Sequence, residues 1–304
     1  MQGYFYIMAA VAVWGIEYVL IKTVAAQSGP LFMGFVMFGT ATVGLALTCL
    51  FKKRSEETVL AAAFPYMLIV GIIGTGCNVL WLYGASYTST ANASVLGRTD
   101  ILFTLFLSCL VFHEKIRKTA LLFIPLMLVG VFIVTGADIK GIGVSGKGDF
   151  LILCSTFLLS LNAFIIKKYV RNICGTLLAL GNCMLNTLAF GILLAANGLP
   201  AGASISITTV LLALLGGCCS LIFFIGYYAA LKELPVWKIR IFCLAVPLIS
   251  AISGYVFIGE IISSKCIIGM AMIVAGAAGI FLSENNKIMS MILNKYNEVS
   301  HVEL

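Results

Sequence analysis

The chain is 304 residues long, 61% hydrophobic and 10% charged, with a mean hydropathy of +1.10. Ordinary soluble domains carry roughly one-quarter charged residues, so a soluble core is excluded and the chain reads as an all-α integral membrane protein. The formal charge of +7 is a topology signal and not a nucleic-acid footprint, because the basic residues are spread over separate short loops with no dense patch.

A helix needs about 20 apolar residues to cross roughly 30 Å of hydrocarbon. Ten such spans are predicted in chain order, near 4–23, 30–51, 62–83, 91–112, 119–137, 149–167, 174–197, 207–230, 237–259 and 265–283. Span 1 has neither a basic n-region nor a small-residue cleavage site and runs on through Trp14, Glu17 and Lys22, so it is expected to stay in the mature protein. Span 4 carries Arg98 and Asp100, while Pro125 in span 5 and Pro247 in span 9 free backbone carbonyls and are expected to kink their helices. Residues 284–304 form a cytoplasmic tail, whose weakly amphipathic stretch 288–299 is either an interfacial helix or a frayed end.

Ten cysteines without CxxC spacing, mostly inside the spans, match neither a disulfide framework nor a metal site. They read as small apolar thiols packed between helices, and no metal or cofactor is expected.

Orientation follows from the lysines and arginines. With a cytoplasmic N-terminus the inner side holds Lys52, Lys53, Arg54, Lys115, Arg117, Lys118, Lys167, Lys168, Arg171, Lys232, Lys238, Arg240, Lys287 and Lys295. The outer side holds Lys22, Lys140, Lys147 and Lys265, and Arg98 lies within a span. That bias satisfies the positive-inside rule and requires an even number of spans. The expectation is a multi-pass protein of the cell (inner or plasma) membrane with both termini cytoplasmic.

An internal repeat is also visible. Gly15-Ile16-Glu17-Tyr18-Val19-Leu20-Ile21-Lys22 aligns with Ser160-Leu161-Asn162-Ala163-Phe164-Ile165-Ile166-Lys167 at an offset of 145. Tyr83-Gly84-Ala85-Ser86 and Tyr228-Ala229-Ala230-Leu231 keep that offset, and Val111-Phe112-His113-Glu114-Lys115-Ile116 answers Phe257-Ile258-Gly259-Glu260-Ile261-Ile262 at 146. The chain divides into five-helix halves, 1–140 and 141–283. Because five is odd, the halves have opposite orientation, a mark of secondary carriers that alternate access around a central site.

These residues resemble the drug/metabolite transporter superfamily in its ten-helix EamA-like branch. The resemblance covers nearly the whole chain and rests on Trp14-Gly15 followed by Lys22, the run from Tyr83 to Ser94, and Glu114 and Glu260 at the ends of spans 4 and 9. It implies a secondary carrier, often an exporter of amino acids, metabolites or toxic amphiphiles, with its substrate in a central cavity. It does not imply one substrate. The chain departs from the family pattern at Glu17, where small or amide side chains are common, and at Arg98 and Asp100 around a position that carries Pro247 in the second repeat.

Arginine or aspartate at a helix centre costs about 2.5 to 3.5 kcal/mol on insertion scales, so such groups face a cavity or one another. At about 1.5 Å per residue, Glu17, Arg98 and Asp100 all sit about 18 to 21 Å above the cytoplasmic boundary. Residues two apart on a helix project about 200° from each other, so Arg98 and Asp100 are expected to point apart. One arrangement pairs Arg98 with Glu17 and leaves Asp100 to a proton, a hydroxyl or another helix. The three charges sum to −1, which favours a cation or proton, although Arg98 could equally clamp a substrate carboxylate while an acid meets its amine. A bridge that merely holds spans 1 and 4 together is the structural alternative. A Glu17 that changes partner as the cavity opens would load and release a proton and couple flux to the proton gradient.

Helical stripes supply the rest of the expected site. Trp14, Glu17, Tyr18 and Ile21 share a face of span 1; Gly74, Asn78 and Trp81 share one in span 3; Asn182 and Asn186 lie one turn apart in span 7; Ser220, Phe223 and Tyr227 share a face of span 8. Asn162 stands at the repeat equivalent of Glu17. Aromatics beside acids hold organic cations; the same stripes also suit plain packing and interhelical hydrogen bonds. Gly71, Gly74, Gly76, Gly216, Gly217, Ala275 and Gly279 are expected at close helix contacts. No GxSxG, HExxH or Walker A pattern occurs, so hydrolysis and ATP-driven pumping lack their parts. The expected partners are a small-molecule substrate, a proton and membrane lipid, with the protein a monomer or homodimer. A channel or a lipid scramblase of the same fold is the alternative to a carrier.

Overall fold

The computed structural model describes residues 2–51, 60–87, 96–111, 113, 118–134, 146–259 and 264–284. Of the sequence features, Thr88 to Ser94, Glu114, Glu260, the basic loop Lys52 to Arg54 and the tail from 285 onward lie outside the described residues.

The described chain is helical throughout its spans: α1 (Gln2–Ser28), α2 (Pro30–Phe51), α3 (Leu60–Tyr87), a 3-10 turn (Gly97–Thr99) leading into α4 (Asp100–Leu110), α5 (Lys118–Val134), α6 (Lys147–Tyr169), α7 (Gly175–Asn197), α8 (Ile207–Glu233), α9 (Val236–Cys243), α10 (Val246–Ile258) and α11 (Ser264–Glu284). In hydrocarbon every backbone group must be satisfied within the chain, and long apolar runs meet that demand as helices. Among the described residues seven segments, against the ten expected, are long and apolar enough to cross a membrane, the last being Val236–Ile258, which contains both α9 and α10. Their outer faces are apolar, with Leu50, Phe51, Ile192 and Ile207 exposed. Gly29, at φ 87°, ends α1, and Pro30 opens α2, the position where proline loses nothing by lacking an N–H.

Two spans differ from expectation. Span 4 is not one helix from 91 to 112: the backbone at Gly97–Thr99 is a 3-10 turn, and the α-helix starts only at Asp100. Span 9 is interrupted at Leu244 and Ala245, which keep helical backbone angles but bond three residues back, so Pro247 sits in the first turn of α10 just after a tightened turn. Pro125 lies inside α5, and Pro65 lies inside α3.

Helix contacts come in pairs separated by the repeat offset. α1 packs on α8 and α6 on α3; α2 packs on α8 and α7 on α3; α1 meets α10 and α6 meets α4; the α2–α7 and α5–α11 contacts each join a helix to its own repeat equivalent. Where α2 and α7 meet, the hydroxyls of Thr42 and Thr187, 145 residues apart, lie 3.1 Å from each other. Small residues permit these approaches, as expected: a Cβ on Gly71 would lie 2.7 Å from the Gly181 carbonyl oxygen, and one on Gly217 would lie 2.9 Å from the Met37 carbonyl oxygen. Gly76 is different, because a Cβ there would meet only Leu158 at an ordinary 3.6 Å.

The bundle has two unlike ends. At one, where α3 begins and α6 and α8 end, Tyr66 and Tyr169 pack with ring centroids 4.6 Å apart, and Lys167 Nζ donates to the carbonyls of Leu231 and Leu234. Lys238 Nζ donates to the Tyr4 hydroxyl at 3.3 Å, and Trp237 is buried beside it. At the other end, where α1 and α3 finish and α2 begins, Pro30 and Ala85 are exposed and a cavity enters between the helices.

Candidate functional site

The cavity holds about 390 Å³ and runs from Pro30 and Ala85 at the open end down to Tyr227 and Arg240. All nine residues singled out in the sequence, Trp14, Glu17, Tyr18, Asn78, Trp81, Arg98, Asp100, Asn162 and Tyr227, line it. They come from five different spans, and each is a polar or aromatic residue interrupting an apolar run. In the absence of bulk water such residues are held either by one another or by a filled cavity.

The charges are arranged differently from the expected pairing. Glu17 does not bridge to Arg98; it is buried and accepts a hydrogen bond from the Ser220 hydroxyl across the α1–α8 contact. Cys183 and Cys219 lie within electrostatic reach of the same carboxylate. Arg98 instead meets the Tyr18 hydroxyl, one residue along α1, and lies within electrostatic reach of Asp100. Among the described residues it forms no ion pair. Arg98 and Asp100 also do not point apart as an α-helix would require. The 3-10 turn has about three residues per turn, which narrows their separation to about 120°, and both reach the cavity.

Asp100 is taken by Arg240, a residue expected on the cytoplasmic side. Arg240 is 2% exposed, its Nη1 lies 3.4 Å from Asp100 Oδ2, its Nη2 donates to the Leu159 carbonyl at 2.7 Å, and its guanidinium lies 5.8 Å from the Tyr227 ring centre. Arg240 therefore leaves the inner side of the topology count and joins Arg98 as an intramembrane cation; the remaining bias keeps its sign. The available signal was local: Arg240 sits among Ile239, Ile241 and Phe242, five residues after Pro235, where a helix is ready to begin. The acidic excess expected for the cavity disappears as well, since two carboxylates now face two guanidiniums.

Hydroxyls fix the start of α4. Ser160 Oγ donates to the Asp100 carbonyl at 2.8 Å, Thr104 donates to Ser160 at 3.2 Å, and the hydroxyls of Thr99 and Thr156 lie 3.2 Å apart. These contacts anchor the discontinuous segment to α6. A chain of amides crosses the opposite wall: Asn78 Nδ2 donates to Asn186 Oδ1 at 2.8 Å, Asn186 Nδ2 to Asn182 Oδ1 at 2.9 Å, and Asn182 Nδ2 to the Tyr228 hydroxyl at 3.2 Å. Of these, Asn186 is a pure helix tie, whereas Asn78 and Asn182 also line the cavity. Beside Glu17 the rings form a continuous wall, with Trp14 and Phe223 centroids 4.8 Å apart and Phe223 stacked on Tyr227 at 5.3 Å. The site thus offers a cation at Arg98, a carboxylate at Glu17, and aromatic surface between them.

The family model described as the EamA-like transporter family matches residues 1–136 and again 146–282. A probable amino-acid metabolite efflux pump of Salmonella typhimurium is 24% identical over 285 residues, spanning 90% of this chain and 92% of that protein. An uncharacterized transporter of Clostridium kluyveri is 25% identical over 228 residues, 73% of each chain. One of Archaeoglobus fulgidus is 22% identical over 278 residues, 91% of this chain and 97% of its own length. A solved crystal structure with 17% sequence identity superposes with a TM-score of 0.76, covering 92% of this chain and 96% of the other, and so shares the fold.

Proposed function

The chain belongs to the EamA-like transporter family of the drug/metabolite transporter superfamily, and from that premise we propose that it is a secondary carrier exporting a small zwitterionic metabolite of the amino-acid kind. It is a multi-pass membrane transporter rather than an enzyme. The finer reading rests on one observation: the cavity presents an arginine and a carboxylate that are not paired with each other, Arg98 and Glu17, while the other two charges neutralise one another as Asp100–Arg240. A substrate carboxylate on Arg98 gains a bidentate, charge-assisted contact, and its ammonium meets Glu17 and the Trp14 and Tyr18 ring faces. Tyr227, Asn78, Trp81 and Asn162 shape the remainder.

The architecture we propose is ten helices in two inverted five-helix repeats, 1–140 and 141–283, with a tail from 284. The double family match and the helix contacts repeated at an offset of 145 support it. With both termini in the cytoplasm of the cell membrane, the open end faces outward. Flux is coupled to protons or to exchange, with Glu17 as the group that changes partner.

Thermal unfolding of the detergent-purified protein against amino acids, polyamines, quaternary amines, nucleosides and organic acids tests the substrate class. Saturable stabilisation by amino acids, lost in Arg98→Ala and in Glu17→Gln, is the expected result; stabilisation that survives both changes overturns the placement. Proteoliposome flux under a pH gradient tests the coupling: Glu17→Gln should abolish the pH-driven component, and unchanged pH dependence sinks proton coupling through Glu17. Saturable, exchange-stimulated flux separates this carrier from a channel or a lipid scramblase.

A further inference from the structure

The α1–α8 contact and the α3–α6 contact occupy equivalent places at the offset of 145, and their polar pairs are in opposite conditions. In the first, Ser220 donates to Glu17. The residues at the same places in the second are Thr75 and Asn162. There Thr75 Oγ1 and Asn162 Oδ1 are both buried and both lack a hydrogen-bond partner. They are two of only three such side-chain atoms among the described residues, the third being Arg240 Nε. A hydroxyl donor and an amide acceptor, each buried and unsatisfied on neighbouring helices, are a costly arrangement that folded chains normally avoid.

We propose that Thr75 and Asn162 form a state-dependent hydrogen bond, made in the opposite-facing form of the carrier when the Glu17–Ser220 bond opens. The inference rests on the inverted-repeat reading above. When inverted repeats exchange conformation, a contact made between the halves in one state is made by its repeat equivalent in the other. Glu17 with Ser220 maps onto Asn162 with Thr75. The α3 backbone is already seated against Asn162: a Cβ on Gly74, the residue before Thr75, would lie 3.1 Å from Asn162 Nδ2. Glycine there leaves the Asn162 side chain free to turn from the cavity wall toward Thr75. The cost of the open pair in the present form and of the opened Glu17–Ser220 pair in the other act against each other, keeping the two states close in free energy, as exchange at useful rates requires. Thr75 and Asn162 are thus positioning residues for the transport cycle, distinct in role from the substrate contacts at Arg98 and Glu17.

Hydrogen–deuterium exchange of the full-length protein in detergent reads the two ends separately. Thr75→Val removes nothing bonded in the present form and one bond from the opposite form. It should raise protection at the closed end, in the peptides around Tyr66 and Tyr169, and lower it around Ile21 and Ala85, by about threefold to tenfold in the opening equilibrium. Ser220→Ala should move both ends the other way, and Thr75→Ser, which keeps the hydroxyl, should match the parent protein. Asn162→Leu removes the acceptor and should repeat the Thr75→Val shift, giving a second reading should Thr75→Val not fold. If Ser220→Ala moves the two ends in opposite senses and the Thr75 and Asn162 variants do not, the switch is overturned while the carrier reading stands. If no variant moves the ends oppositely, the two-state reading fails and the switch with it.

Discussion

The two ends of the bundle are built from equivalent elements and behave in opposite ways. At the closed end the finish of α6 is tied to the finish of α8 by Lys167, and the start of α3 is stacked on α6 through Tyr66 and Tyr169. At the open end the finish of α1 carries Lys22 at the position equivalent to Lys167, and that side chain is exposed beside a cavity mouth. Closure is therefore not a property of a helix or of its sequence alone. In the inverted-repeat carrier proposed above it is set by which half brings its helix ends together, with the Asp100–Arg240 pair as the charged floor of the cavity between the two ends.

The largest effect should come from that floor. Arg240→Met leaves Asp100 buried without its partner, a change that costs about 3–5 kcal/mol when one member of a buried pair is removed. Thermal unfolding in detergent should show a large fall in Tm, and Arg240→Met combined with Asp100→Asn should recover most of it, because removing both charges leaves no uncompensated ion. A single variant as stable as the parent protein would mean that the pair does not tie the halves together.

Much of this site was legible in the sequence because a polar residue in an apolar run has few places to go. Glu17, Arg98, Asp100, Asn78, Asn162 and Asn182 stood out by that reasoning alone, and one cavity collects them, whereas Asn186 ties helices behind its wall. Their partners were not legible. Ser220 lies 203 residues from Glu17, and only the α1–α8 packing brings them together; Tyr18, adjacent in sequence to Glu17, takes the arginine that Glu17 was expected to hold. Arg240 was hidden by boundary placement: with the span started at Trp237, a basic residue three positions in reads as loop charge. The interruption at Leu244 and Ala245 was hidden for another reason, since those residues are as apolar as their neighbours and hydropathy does not register backbone direction. Length and hydropathy marked the chain as a bundle of apolar helices; the interruptions and the pairings needed the third dimension.

A smaller effect is expected at the closed end. Lys167→Met keeps the length of the side chain and deletes two hydrogen bonds from an ammonium to carbonyls at the end of α8. Bonds from a charged donor are worth about 1.5–3 kcal/mol each, and part of the loss is repaid by water at an opened end, so about 2 kcal/mol, roughly thirtyfold in opening, is the expected change. It should appear as faster deuterium exchange around Tyr169 and Leu231, with slower exchange around Ile21 and Ala85. Faster exchange at both ends would make Lys167 a general packing residue and would break the contrast between the ends.

The smallest expected effect sharpens the same contrast. Tyr66 and Tyr169 are half-buried, 4.6 Å apart and inclined at 50°, a geometry worth about 0.5–1.5 kcal/mol beyond the area that the rings cover. Tyr66→Leu keeps apolar volume between α3 and α6 but removes the ring, so opening at this end should rise by about tenfold or less, below the effect of Lys167→Met. Because the ring pair and the lysine join α6 to different helices, α3 and α8, the two losses should add in the double variant if each seals its own contact. A double variant no more open than Lys167→Met alone would mean that the lysine carries the closure and the rings follow it.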